Sequence, residues 1–133
     1  MSRSDKSKSA PSQRMLRVGE VIRHAVSQVL TRGDINDPAL EAEVISVSGV
    51  RMSPDLRLAT VLIVPLGGKD PGAVLAALTR NRRFIRGAIA GALDLKFMPD
   101  LRFREDEGFA SQARIDALLH SEKVLRDLED KTP

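Results

Sequence analysis

Apolar residues near the beginning of the chain have the spacing of a helix that packs on a core. Six of them recur at steps of three and four residues, which places them on one helical face: Val18, Val21, Ile22, Ala25, Val26 and Val29. The pattern stops near Gly33, and glycine commonly follows the last turn of a helix. The sequence therefore predicts an amphipathic helix that ends at about this glycine.

Two runs rich in β-branched residues come next, over residues 44–52 and 58–66. Both alternate in part between apolar and polar positions, as strands do. Between them lies Ser-Pro-Asp-Leu (53–56), which favours a turn because proline presets φ and an aspartate side chain can bond to the nearby backbone. We predict a β-hairpin, with Gly49 as the candidate position of a bulge.

Two helices are then predicted in direct succession. Asp70 is placed to cap the first, and Pro71 suits its first helical position. Residues 72–80 are short and apolar. After Asn81, apolar residues over 84–93 again recur at helical spacing. The sequence thus predicts a corner between two consecutive helices.

A third strand is predicted over residues 95–104, where apolar and polar side chains alternate. Leu101 and Phe103 fall on one side of this strand. Pro99 lacks a backbone donor, so the start of the strand is expected to be irregular or at an edge.

The order helix, strand, strand, helix, helix, strand predicts an α+β fold, with a three-stranded sheet that carries helices on one face. This is the order of type II KH domains, in which the paired helices form an RNA-binding corner. Residues 1–13 are serine-rich and basic and are predicted to be a disordered tail. The domain is predicted over residues 14–106. An acidic, mostly helical extension is predicted over 107–133, with short helices at 111–120 and 121–130.

The distribution of charge favours a polyanionic partner. The net charge is +3, but residues 1–104 carry 17 basic against 10 acidic side chains, and residues 105–133 carry 4 against 8. Fifteen of the 21 basic residues are arginine, whose planar guanidinium binds phosphate through two hydrogen bonds at once. Four phenylalanines and no tyrosine or tryptophan argue against an RNA-binding surface built on many stacked rings. The alternative explanation of the many arginines is a general preference for arginine in the composition, without a polyanionic partner.

Other features exclude several classes. The chain has no cysteine, which excludes disulfides, thiol catalysis and cysteine-type zinc sites. No apolar run is long enough to cross a membrane, and the polar first residues lack the apolar core of a secretion signal. We therefore expect a cytoplasmic protein.

Four stretches in this order resemble the ribosome-binding factor A family, and the resemblance covers residues 14–128. They are RMLRVGEVIRHAVSQVL (14–30), VRMSPDLRLATVLIVPLG (50–67), FIRGAIAGALDLKFMPDLRF (84–103) and ARIDALL (113–119). The resemblance implies a monomeric, non-catalytic assembly factor. Such a factor binds the free 30S small ribosomal subunit, assists late maturation of 16S rRNA near its 5′ end, supports growth in the cold, and works beside ribosomal proteins and an assembly GTPase.

The sequence departs from the family at the helix corner. KH domains usually place Gly-x-x-Gly there, and this family replaces it with an Ala-x-Gly kink. Here the kink falls on Asn81, Arg82 and Arg83, with no glycine. Asparagine tolerates the left-handed conformation, so a kink remains feasible. Close approach of the backbone to a phosphate is less favoured, so we expect side chains to make the contact.

The strongest candidates for RNA contact are the arginines at this corner: Arg80, Arg82, Arg83 and Arg86. The beginning of a helix carries a partial positive charge, so cations there are unfavourable unless an anion binds. The alternative is a solvated, arginine-rich face. Four further candidates lie on the first helix and the third strand: Arg14, Arg17, Arg102 and Arg104.

No residue pattern indicates catalysis, a metal or a cofactor. His24 and His120 stand alone on separate helices, without metal-ligand spacing. The acidic end of the chain leaves open a second hypothesis, a protein–protein adaptor that acts through its C-terminal helices. A small RNA hydrolase is the weakest hypothesis, because no acid–base or metal set is visible.

Overall fold

The computed structural model describes residues 10–41, 44–66 and 70–130, with the side chains of residue 113 and of 121–130 left aside. Most of the predicted N-terminal tail, residues 1–9, and the last three residues of the predicted extension lie outside the described residues.

The first helix, α1 (Gln13–Arg32), has a defined signal at each end. The Ser12 hydroxyl accepts a hydrogen bond from the backbone N–H of Met15, and Gly33 ends the helix with φ of 70°, a conformation that glycine adopts without strain. Its buried face carries Ile22, Ala25, Val26 and Val29 of the predicted stripe, whereas Val21, which was also predicted to face the core, is 48% exposed. Gly19 lies against β1, where an added Cβ would be 2.8 Å from the carbonyl oxygen of Val50.

The predicted hairpin forms from β1 (Ile45–Met52) and β2 (Leu58–Pro65), which pair antiparallel. The register shifts between Val47 and Gly49, so the predicted bulge is confirmed, with Ser48 as the extra residue. Leu56 closes the turn with φ of 61°. The third strand, β3 (Asp100–Glu105), pairs parallel to β2 and completes a sheet of order β1-β2-β3.

The paired helices, α2 (Pro71–Arg80) and α3 (Arg82–Ala90), connect β2 to β3. Asp70 accepts a hydrogen bond from the N–H of Gly72 and caps α2, as predicted. All three helices pack on one face of the sheet, and their apolar side chains meet those of the strands in one core: Ile22, Val26, Val29, Val61, Ile63, Val74, Leu78, Ile85, Ile89, Leu101 and Phe103. The predicted α+β fold is confirmed.

The C-terminal extension differs from the prediction in one respect. Instead of two short helices, residues Glu107–Asp130 form one helix, α4, because no glycine or proline interrupts it after its second residue. Asp106 precedes α4 and accepts hydrogen bonds from the N–H of Phe109 and from the hydroxyl of Ser48 in the bulge. Across the described residues, no helix is both long and apolar enough to cross a membrane.

Candidate nucleic-acid interface

The corner between α2 and α3 falls at Asn81, as predicted, but its backbone is not left-handed. Its φ is −100° and its ψ is 11°, a conformation open to residues other than glycine. The side-chain amide donates to the carbonyl oxygen of Ala77 at 2.7 Å and to the carboxylate of Asp37 at 2.8 Å. A side chain therefore holds the corner in which related domains use glycine.

Asp37 connects this corner to the loop after α1. Its buried carboxylate accepts from the backbone N–H of Ala39 and from Asn81, and it pairs with Arg80 at 3.2 Å. These contacts, that of Ala39 most of all, hold the pKa of Asp37 below its ordinary value. Arg80 is thus paired within the molecule, and the structure does not bring it together with the other arginines of the corner.

Four arginines from two elements line one cavity of about 440 Å³, which we call the arginine groove. They are Arg82, Arg83 and Arg86 of α3 and Arg102 of β3. Leu58, Asp100 and Leu101 complete its wall. The parallel pairing of β2 with β3 sets Leu58 beside Asp100 at the start of both strands, and these two residues line the cavity together with the first turns of α3.

The four arginines of the groove differ in their partners. Arg86 donates to the carbonyl oxygens of Met98 at 2.7 Å and Pro99 at 3.1 Å, which fixes its side chain against the segment before β3. Arg102 donates to the hydroxyl of Thr60 at 3.2 Å. Arg82 and Arg83 are exposed.

Within the described ranges, neither Arg82 nor Arg83 has an ion-pair partner. They stand in the first turn of α3, which contains no acidic residue and receives no side-chain cap. The helix dipole and two unpaired guanidinium groups therefore concentrate positive charge at one point, where an anion would be stabilised.

The other predicted residues lie outside the groove. Arg104 projects from the same side of β3 as Arg102, two residues further along. Arg17 is exposed on α1, and Arg14 lines a second cavity, described below. The Nε2 atom of His24 lies 3.1 Å from the amide nitrogen of Gln28. In the part of the chain that the structure describes, no group of histidine and acidic side chains is arranged to hold a metal ion.

Three residues that hold the corner or line the second cavity were not predicted from the sequence. Asp37, which is the buried acceptor of the corner, was not among the predicted site residues. Arg57 and Phe97 line the second cavity. The signal available for Arg57 was its position directly after the hairpin turn. Phe97 lies in an irregular segment that has no periodicity to read.

The element order, the mixed three-stranded sheet with helices on one face, and the basic corner between the paired helices define a type II KH-like domain. A sequence model of the ribosome-binding factor A family matches residues 14–119. Ribosome-binding factor A of Methylocella silvestris is 60% identical over 119 residues, which cover 90% of this chain and 77% of the relative. The chain belongs to the ribosome-binding factor A family.

Solved structures show the same fold. The crystal structure of ribosome-binding factor A from Thermus thermophilus aligns with a TM-score of 0.60 and 22% identity, over 68% of this chain and 93% of that one. A homology model of the Thermus thermophilus factor, fitted into a cryo-EM map of its 30S complex, aligns with a TM-score of 0.52 and 24% identity, over 63% and 86% of the two chains.

Proposed function

We propose that this protein binds the free 30S subunit through the arginine groove, and that it assists late maturation of 16S rRNA at the 5′ end, including in the cold. Family membership supports this proposal, as does the Thermus thermophilus factor that was fitted into a 30S complex. The observation that carries it is the pair of unpaired guanidinium groups, Arg82 and Arg83, at the beginning of α3.

The groove favours RNA phosphate because four guanidinium groups from two elements of the fold line a single cavity. Two guanidinium groups are free, and the other two donate to neutral oxygen acceptors: Arg86 to two backbone carbonyls and Arg102 to the hydroxyl of Thr60. Asp100, 3.8 Å from Arg86, is the one carboxylate in the groove, and its side chain is mostly exposed. Several arginines in one groove suit the repeated charge of a nucleic-acid backbone.

Co-sedimentation with purified free 30S subunits tests the proposal. We expect the double variant Arg82→Glu with Arg83→Glu to lose co-sedimentation, because both side chains then repel phosphate, while the fold stays intact since both positions are exposed. We call this double variant the groove variant. The matched control variant, Arg23→Glu with Arg32→Glu, reverses two charges that are already paired with Glu20 and Asp34. Equal binding by the groove variant and the wild type would refute the site.

The role in maturation is tested in cells that lack the protein. We expect such cells to accumulate 16S rRNA with an unprocessed 5′ end and to grow poorly in the cold. The groove variant should fail to restore either property, and the control variant should restore both. The proposal includes a cytoplasmic monomer that acts by binding alone, needs no cofactor, and works beside ribosomal proteins and an assembly GTPase. If the groove variant restored both properties, the role in maturation would not depend on RNA binding by the groove.

A second candidate function, that of a protein–protein adaptor, is favoured by α4. Four large apolar side chains of this helix are about half exposed or more: Phe109, Ile115, Leu118 and Leu119. Deletion of residues 121–133 separates the two functions. An RNA-binding factor should keep most of its affinity for the subunit, whereas an adaptor that acts through the C-terminal helix should lose its partner.

A further inference from the structure

A second cavity adjoins the arginine groove. Its volume is about 330 Å³, at the lower end of the range of small-ligand sites. Arg57 and Pro99 line this cavity, while their chain neighbours Leu58 and Asp100 line the groove. Consecutive residues of the chain thus line the two sites, and Arg86 of the groove donates to the carbonyl oxygen of Pro99, which lines the second cavity.

An exposed aromatic ring stands in the wall of this cavity, which we call the Phe97 cavity. Phe97 is 75% exposed, more than any other large apolar residue that the structure describes. The Nζ atom of Lys96 lies 5.7 Å from the centre of the ring. At this exposure the ring cannot be covered on both faces, so one flat apolar surface is open to a planar partner. Buried Pro99 supports the segment from below.

Positive charge surrounds the ring. Arg14, Arg57 and Lys96 line the cavity against one carboxylate, that of Asp55. That carboxylate accepts hydrogen bonds from the hydroxyl of Ser53 and the N–H of Arg57, so it is engaged in the hairpin turn. The cavity therefore combines a flat apolar surface with a cationic rim.

This combination fits a nucleotide, whose base stacks on a ring while its phosphate meets a cation. An acidic protein segment would satisfy the rim, but it would use neither the flat face of the ring nor the continuity with a groove for phosphates. Building on the proposed function, we propose that the Phe97 cavity binds one unpaired nucleotide of the RNA strand whose phosphates lie in the arginine groove, with its base stacked on Phe97.

Substitution of the ring tests stacking against simple apolar contact. With free 30S subunits, we expect Phe97→Trp to retain the wild-type affinity and Phe97→Leu to weaken it by about fivefold or more, since stacking on one base contributes about 1–3 kcal/mol. The matched control, Phe109→Leu on α4, should bind as the wild type does. All three variants should melt as the wild type does, because both rings are exposed.

A spectroscopic measurement reports the stacking itself. The chain has no tryptophan or tyrosine, so Phe97→Trp introduces a single strong fluorophore. On saturation with protein-free 16S rRNA, we expect its emission to be quenched, and that of Phe109→Trp to be unchanged.

The outcomes distinguish this inference from the proposed function. If the wild type fails to bind free 30S subunits, the proposed function fails and the inference with it. If the wild type binds, and Phe97→Leu binds equally well or the indole of Phe97→Trp is not quenched at saturation, the inference alone is overturned. Tolerance of leucine would then show that stacking of a base on this ring does not contribute to binding.

Discussion

The salt dependence of binding measures how many arginines of the groove contact phosphate. Neutral substitutions suit this purpose, so we consider Arg82→Gln combined with Arg83→Gln. These two guanidinium groups have no ion-pair partner among the described residues. Their loss should therefore remove two phosphate contacts of the four that the groove offers.

The expected size follows from counterion release. Each phosphate contact lowers log K by about 0.7–0.9 for every tenfold rise in salt. Between about 50 and 200 mM salt, four contacts correspond to a loss of affinity of about 50- to 150-fold, and two contacts to a loss of about 7- to 12-fold. The slope of the double variant should accordingly be about half that of the wild type.

The assay is a titration of fluorescently labelled protein with free 30S subunits at four or five salt concentrations. The corresponding control, Arg23→Gln with Arg32→Gln, should keep the wild-type slope because Glu20 and Asp34 already compensate those charges. Weaker binding of the glutamine double variant with an unchanged slope would refute phosphate contact, since a purely structural defect lowers affinity equally at every salt concentration.

Three further predictions concern stability. Gly19→Ala should lower the free energy of unfolding by about 1–2 kcal/mol, because the clash of the new Cβ with the carbonyl oxygen of Val50 costs more than the helix propensity gained. Gly87→Ala, whose Cβ would meet nothing within 4 Å, should raise the free energy of unfolding by about 0.5–1 kcal/mol. Equal effects of the two substitutions in urea melts would contradict this prediction. The pKa of Asp37 is lower in the folded state, so its stabilising contribution is present above the ordinary aspartate pKa of about 3.9 and is lost as the pH falls below it. Asp37→Asn should therefore flatten the fall of the melting temperature in acid. A dependence of melting temperature on pH equal to that of the wild type would contradict this role of Asp37. Asp106→Ala should cost about 0.5–2 kcal/mol through loss of the cap on α4, seen as reduced helicity on mild heating, whereas Asp106→Asn should retain most of the cap.

The sequence predicts the local elements well, because each carries its own signal. The periodic stripe before Gly33, the proline turn of the hairpin and the Asp70–Pro71 start of α2 depend on neighbours within a few residues, and all are present. The bulge beside Gly49 belongs to the same class. The continuity of α4 was missed because weak periodicity was read as two helices, although no residue breaks the helix.

The candidate site was harder to predict because its contacts join distant parts of the chain. Arg80 and Asp37 are separated by 43 residues, so a cluster of arginines close in sequence gave no sign that one of them is paired. Arg86 of α3 and Arg102 of β3 are 16 residues apart in the sequence, and they line one groove only because the fold brings these two elements together. The sequence therefore indicated where the positive charge is concentrated, but not which partner each arginine side chain contacts.

The fastening of Asn81 and Arg80 to Asp37 has a thermodynamic consequence for recognition. A glycine-rich corner samples several backbone angles and must give them up when it meets a ligand, at a cost in conformational entropy. Here the hydrogen bonds at Asp37 and Ala77 impose that ordering during folding instead. Under the proposed function, the protein therefore presents a preformed template, and the adjustment on association falls on the RNA.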